Sequence, residues 1–498
     1  MYGQKKKVVV CLVFSSLEFL YVFFPLCMLF YWIAKTTNLR NAVLIVFSLF
    51  FYAWGEPVYL FLMLGTVFAE YFFALGIEKF RGTKASKLCL IGSLVLALGL
   101  LAVFKYTGFL VNSINGLFGI SIPVPDISLP IGISFYTFQI VSYLIDVYRG
   151  DVKAQRQPLK LLLYINLFHQ LIAGPIVRYE HIADEIDNRR TTPVEISMGI
   201  DRFVVGLAKK VILADTCALL ADTYLKDANL SSVSVLGAWF GLIMYSMQIY
   251  FDFSGYSDMA IGMGRMVGFH YHENFNYPYL SGSITEFWRR WHMSLGSFFR
   301  DYLYIPLGGN RCKPARHIFN LFLVWFLTGL WHGASWNFVM WGLYFFIFLV
   351  LEKYCIGKFL EKHRIFSHFY FLFLIVIGWM IFYYTDLSQM GTLFKGLFGL
   401  NGNTFADVDL ELTFKNNLFF ILIALVACTP VIKLIKKLYV RVCQSGAQVN
   451  AEGALVSERN VPATVAYIVK GIALAALVFI STAMLVGNTY HPFIYFRF

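Results

Sequence analysis

A chain of 498 residues in which 58% of the letters are hydrophobic and 14% are charged falls well below the roughly 25% charge of soluble globular proteins, which excludes an ordinary soluble enzyme. The net charge of +12, from 41 basic and 29 acidic residues, gathers in short loops between apolar runs. There it reads as membrane topology and contact with anionic lipid rather than nucleic-acid binding, since no RNA- or DNA-binding motif accompanies it. The 8 cysteines are scattered with no C-x-x-C pair, so neither a metal site nor a disulfide framework is expected.

Lys5, Lys6 and Lys7 precede an apolar run from Val8 to Ala34. The run starts like a signal peptide, but it is too long and lacks a small-residue cleavage pattern, so it reads as a retained first span. Apolar segments follow at Asn41–Gly55, Pro57–Leu75, Leu88–Phe104, Ile127–Ile145, Leu159–Val177, Val233–Phe251, Asn320–Trp331, Trp336–Leu351, Ile365–Thr385, Leu418–Ile432 and Val465–Leu485. The expectation is an all-α polytopic membrane protein with on the order of eleven to thirteen spanning helices, several short enough to be re-entrant or broken. The whole chain, 1–498, reads as one membrane-embedded domain, richest in motifs over 265–341 and without a recognised motif over 401–498. Basic clusters at Lys79–Lys87, Arg149–Lys160, Lys353–Arg364 and Lys433–Arg441 should face the cytoplasm; the N-terminal lysines do not fit that scheme, so the side of the N-terminus stays open.

Two stretches break the apolar pattern. Ile196 to Leu225 interleaves Asp201, Arg202, Lys209, Lys210, Asp215 and Asp222 with apolar residues, which suits a helix at the interface or inside the bundle. Asp252-Phe253-Ser254-Gly255-Tyr256-Ser257-Asp258 reads as the polar end of a span that caps the next helix. From Arg265 to Arg316 the chain is basic but carries Trp288, Trp291, Phe298, Phe299, Tyr302 and Tyr304. So many large rings point to amphipathic helices dipping into the membrane face.

Chemistry is sought first at His332, in Trp331-His332-Gly333-Ala334-Ser335-Trp336-Asn337, because His317 to Leu351 contains no Asp, Glu, Lys or Arg. An ionisable group at membrane depth is a functional candidate by default, and an imidazole with a pKa of about 6.5 can take a hydroxyl proton, as acyl transfer to an alcohol requires. A neutral histidine bonded to a neighbouring helix is the open alternative. His292 comes second, with Trp288 four residues earlier on the same helical face and Arg289 and Arg290 suited to bidentate phosphate or carboxylate contacts; lipid anchoring explains the same letters. No G-x-x-x-x-G-K-[ST] or G-x-S-x-G occurs, which withdraws support from ATPase and serine-hydrolase chemistry.

The run Gly282-Ser283-Ile284-Thr285-Glu286-Phe287-Trp288-Arg289-Arg290-Trp291-His292-Met293-Ser294, then Tyr304-Ile305-Pro306-Leu307-Gly308-Gly309-Asn310-Arg311, then Trp331-His332-Gly333-Ala334, resembles the membrane-bound O-acyltransferase family and within it the alginate O-acetylation branch. Val13 to Leu20, Leu129 to Phe135, Ala173 to Ile176 and Asp252 to Asp258 resemble that branch in the same order. The teichoic-acid D-alanyl transfer protein shares the Trp-His-Met-Ser and Trp-His-Gly elements. The resemblance implies His332 as catalytic histidine, His292 as a second functional histidine, and a ring of helices around a thinned centre with a catalytic tunnel. It further implies a bacterial plasma-membrane location and an acyl thioester co-substrate, acetyl-CoA or an acyl carrier protein, with no bound cofactor. The acceptor would be a polysaccharide outside the cell, alginate, another exopolysaccharide or a cell-wall glycan, and a hydrolase-like partner would complete the transfer. Asn337 and the ring N–H of Trp331 or Trp336 are candidate oxyanion donors. A transporter for lipid-linked glycans is the competing class, against which the lack of paired repeats counts; a non-catalytic assembly subunit is a third.

Overall fold

The computed structural model describes residues 12–226, 230–445 and 461–487; Lys5, Lys6, Lys7 and His491 lie outside the described residues. All regular elements among these are helical, as hydrocarbon surroundings demand, because a helix satisfies its own backbone polar groups. In chain order they are α1 (Phe19–Ile33), α2 (Thr37–Gly55), α3 (Tyr59–Lys79), α4 (Lys84–Phe118), α5 (Ile133–Arg149), α6 (Pro158–Asn166), α7 (Phe168–Leu171), α8 (Tyr179–Asn188), α9 (Pro193–Ala208), α10 (Asp215–Leu225) and α11 (Val235–Met266). Then come α12 (Ile284–Trp288), α13 (Met293–Phe299), α14 (Pro314–His332), α15 (Trp336–Leu351), α16 (Gly357–Lys362), α17 (Arg364–Tyr383), α18 (Leu387–Leu397), α19 (Val408–Ala427), α20 (Val431–Ser445) and α21 (Val461–Gly487).

Among the described residues, 6 helices are long and apolar enough to cross a membrane: α3, α4, the joined α15 and α16, α17, α19 and the stretch Thr464–Gly487 of α21. Their outward residues, such as Leu88, Phe419 and Phe479, are exposed apolar groups, as lipid contact favours. The remaining apolar segments are shorter, broken or polar at the centre. Leu159–Val177 breaks at Leu167 between α6 and α7. Ile127–Ile145 becomes helical only at Ile133, after Gly132, which is left-handed at φ 76 and would bring a Cβ to 2.6 Å from the carbonyl oxygen of Leu171. The broken segment and the start of α5 thus touch backbone to backbone.

One sequence expectation is corrected and another is narrowed to one of its two alternatives. The Asp252 to Asp258 stretch does not end a span, because α11 runs unbroken from Val235 to Met266. Its carboxylates are tolerated in mid-helix because Lys210 lies 2.7 Å from both Asp252 and Asp215, while Arg202 and Lys209 each lie 2.6 Å from Asp258. These cations come from Ile196–Leu225, which packs inside the bundle rather than at the interface. The two helices run antiparallel with glycines opposed: a Cβ on Gly199 would stand 2.7 Å from the Gly262 carbonyl oxygen, and one on Gly206 2.6 Å from that of Gly255. Small residues let backbones approach in this way.

The Arg265 to Arg316 region departs from expectation too. It forms the short helices α12 and α13 and a wide turn at Arg300–Tyr304, with Phe287, Trp291, Phe298 and Phe299 buried in protein. One apolar core gathers around α1 to α8 and includes Trp331; the other gathers around α10, α11 and α14 to α19 and includes Trp291, Trp325 and Trp341. The motif-rich segment lies at their boundary. On the basic side of the bundle His270 joins α8 to α9, its Nδ1 2.6 Å from Glu185 and its Nε2 3.1 Å from Glu195. Partial burial pulls its pKa down, but the two carboxylates outweigh burial and the net direction is up.

Candidate active site

His332 ends α14, and the chain turns back through Gly333, Ala334 and Ser335 into α15. The two helices form a hairpin whose backbones meet: a Cβ on Gly329 would collide with the carbonyl oxygen of Phe338, and one on Gly342 with that of Trp325. His332 is buried. Its ring meets Trp341 at 4.9 Å, Trp331 at 5.0 Å and Phe382 of α17 at 5.4 Å, all edge to face. Aromatic walls of this kind exclude water and fix the ring plane.

His292 reaches the same place by a different route. It does not share a helical face with Trp288, because α12 stops at that residue and His292 sits in the left-handed region at φ 46, ahead of α13. Asn274 holds this turn: its Oδ1 accepts from the Ser294 amide at 3.1 Å and the Ser294 hydroxyl at 2.9 Å, and lies 3.3 Å from His292 Nδ1. An Nδ1–H donated to Asn274 leaves Nε2 as the acceptor of the neutral ring. Nε2 has no hydrogen-bond partner among the described residues. The His292 ring lies 5.9 Å from that of Trp331, so one buried tryptophan contacts both histidines. Phe138 stacks on Trp331 at 5.4 Å and on Phe298 at 4.0 Å, which fixes Trp331 in turn.

The other candidates divide. Trp288 joins the aromatic wall, 4.8 Å from Trp325, 5.0 Å from Phe345 and 5.4 Å from Trp341. Glu352, at the far end of α15, holds α12 in register by accepting from the Ile284 amide at 2.7 Å and the Thr285 amide at 2.8 Å. Arg290 is paired with Glu286 at 2.7 Å, and Arg289 is exposed. Asn337 is buried, but its Nδ2 donates to the carbonyls of Ile381 and Phe382 at 3.2 and 3.3 Å, and the Ser335 hydroxyl donates to its Oδ1. Its amide therefore caps the end of α17 and is not a free oxyanion donor. Trp336 is half exposed and packs edge-on against Phe109 of α4 at 5.4 Å, on the outside of the hairpin. For Asn337 and Trp336 the expected oxyanion role gives way to a structural one.

Sequence reasoning missed Lys105. Its Nζ donates to the Trp331 carbonyl at 2.5 Å and to Ser134 Oγ at 3.2 Å, and lies 5.9 Å from the Trp331 ring centre. The signal was present, since Lys105 is the one charged letter between Lys87 and Asp126.

A bundle of lipid-facing helices thus surrounds a sequestered pair of histidines. The model of the membrane-bound O-acyltransferase family matches residues 153–393, a span that holds both histidines. The chain belongs to this family and is a multi-pass membrane O-acyltransferase. It is 40% identical over 405 residues to a probable alginate O-acetylase of Azotobacter vinelandii, with 80% of each chain covered. It is 34% identical to a peptidoglycan O-acetyltransferase of Helicobacter pylori over 446 residues, 80% of this chain and 82% of the other. A teichoic acid D-alanyltransferase of Bacillus subtilis is 32% identical over 228 residues, which cover 43% of this chain and 56% of that protein.

Proposed function

We propose that the protein O-acetylates a polysaccharide on the outer side of a bacterial plasma membrane, drawing acetyl groups from a cytoplasmic thioester, acetyl-CoA or an acyl carrier protein. The observation that carries this reading is the convergence of His292 and His332, distant in sequence, on the buried Trp331 ring. His332 takes the proton of the acceptor hydroxyl as its oxygen attacks the thioester carbonyl. The tetrahedral intermediate then collapses with cleavage of the C–S bond, and the leaving sulfur takes a proton to depart as a thiol. His292, with Nε2 open as an acceptor, is suited to hold a hydroxyl or relay a proton at the same place.

Sidedness supports an outward acceptor. α14 starts beside Arg311, Lys313 and Arg316 and α15 ends beside Lys353, so the tip of the hairpin with His332 points away from the basic side. The 19 residues of α14 span about 28 Å, close to the thickness of the hydrocarbon core, roughly 30 Å. Relatives that cover most of the chain include a probable alginate O-acetylase and a peptidoglycan O-acetyltransferase by name, which favours acetyl over D-alanyl transfer. A hydrolase-like partner outside the membrane would complete delivery to the polymer. His332→Ala should abolish polymer O-acetylation at near-normal abundance, as loss of a general base typically costs about 10²–10⁴ in rate. Fully acetylated polymer from the variant would refute the assignment, and D-alanyl esters in place of acetyl would replace the donor.

A further inference from the structure

The last carbonyls of an α-helix have no partner within the helix and must find donors elsewhere. At the end of α14 the Gly329 carbonyl accepts from the Gly333 amide at 3.4 Å. The next two, on Leu330 and Trp331, accept from side chains of another helix: the Tyr106 hydroxyl donates to Leu330 at 2.8 Å, and Lys105 Nζ donates to Trp331 at 2.5 Å. Both donors are consecutive residues of α4. A cation at a helix C-terminus also meets the negative end of the helix dipole.

We infer that Lys105 and Tyr106 are positioning residues for His332, with α4 acting as a cap in trans that fixes the last turn of α14 against the acyl-transfer site. This inference rests on the reading of His332 as the base. The peptide unit that Lys105 holds is the one that joins Trp331 to His332. Through it the ammonium sets the direction from which the imidazole leaves the backbone, and the Trp331 ring that touches both histidines is held by the same contact. Ser134, at the start of α5, takes a second ammonium N–H at 3.2 Å, which ties the cap to the helix carrying Phe138, the ring stacked on Trp331. The hairpin end is therefore gripped from α4 through its carbonyls and from α5 through its aromatic face. Neither Lys105 nor Tyr106 needs to touch substrate to govern turnover, because a displacement of about 1 Å at the reacting group can cost on the order of 10²-fold.

The test compares Lys105→Met, Lys105→Arg, Tyr106→Phe and His332→Ala in the full chain, expressed in cells that make the polymer. Three quantities are read: chain abundance in the membrane, Tm after detergent extraction, and initial rate of ester-linked acetyl appearance on the polymer per molecule of chain. Lys105→Met should lower the rate per molecule about 10- to 100-fold with Tm nearly unchanged. Lys105→Arg, which still donates to a carbonyl, should restore most of it. Tyr106→Phe keeps the ring, and with it the packing, and should give a smaller loss. A purely structural lysine would lower abundance and Tm and leave the rate per surviving molecule intact. Wild-type rates per molecule in both Lys105→Met and Tyr106→Phe overturn the inference; if Lys105→Met fails to accumulate, Tyr106→Phe alone decides. An active His332→Ala would sink the catalytic reading itself, whereas an inactive His332→Ala beside an active Lys105→Met removes only the positioning role.

Discussion

Gly333→Ala probes how tightly the wall around His332 is set. Gly333 has extended backbone at φ −168, so alanine meets no conformational barrier and the effect is purely steric. A Cβ at this position would collide with the ring of Phe338, the third-nearest ring carbon standing at 3.0 Å. Carbon atoms rest at roughly 3.5–4.0 Å, so the ring edge must retreat by at least about 0.5–1 Å, and more at its nearer carbons. Retreat is obstructed, because Phe338 is buried and packs on Phe382 at 5.0 Å, and Phe382 in turn packs on His332 at 5.4 Å. The strain should cost about 1–3 kcal/mol of stability. Any share passed to the imidazole should cost turnover steeply, on the order of 10²-fold for a displacement of 1 Å. Ester-linked acetyl on the polymer, measured per molecule of membrane-inserted chain beside Tm in detergent, separates the two losses. Phe338→Val removes the offending ring carbons and should recover part of the rate when combined with Gly333→Ala. Full activity and an unshifted Tm in the single variant would refute the claim that the ring is boxed in.

Two further outcomes follow from the charges. Lys210→Met leaves Asp215 and Asp252 facing each other in the bundle without the ammonium that lies 2.7 Å from each; breaking a buried ion pair from one side costs about 3–5 kcal/mol. Tm of the extracted chain should fall sharply, with partial recovery on adding Asp252→Asn, and a Tm within a degree of wild type would show that the trio contributes nothing. At His270 the net upward pKa shift sets the sign: a folded pKa above the unfolded value of about 6.5 gives stability that is complete below that value and lost as pH rises through the folded pKa. His270→Gln should therefore lower Tm at pH 6 and leave it nearly unchanged at pH 8.5; an equal loss at both values would mean the Glu185 and Glu195 contacts do not depend on charge.

What could be read in advance follows the distance over which each residue is satisfied. α15 spans Trp336–Leu351, the bounds that its apolar run sets, because lipid and neighbouring helices ask only for apolar side chains there. His332 stands out for a local reason, as a histidine deep inside a run without Asp, Glu, Lys or Arg. The left-handed His292 was illegible, since nothing in Trp291-His292-Met293 marks a turn that Asn274 imposes from 18 residues away. Helical spacing then paired it with Trp288 wrongly. Asp252 and Asp258 looked like a helix end because their partners Lys210, Lys209 and Arg202 lie on another helix, and carboxylates in an apolar run otherwise signal a break. Asn337 and Trp336 had suitable donors for an oxyanion, but only the fold shows one spent on the carbonyls of α17 and the other turned towards α4.

The separation of 226 residues between Lys105 and the carbonyl it holds also has a meaning in time. A ribosome adding roughly 5–20 residues per second delivers α4 about 11–45 s before Trp331 exists. Over that interval α4 must reside in or beside the bilayer with an ammonium and no helix end to receive it. A lysine in such a position can bend its stem towards the headgroups or water. Only when the α14 hairpin inserts can the side chain exchange those surroundings for the peptide oxygen of Trp331. The contact that completes the backbone surroundings of His332 is thus one that forms late in the chain's synthesis. A chain truncated before α14 should leave Lys105 reachable by water-borne amine reagents, and the finished protein should shield it.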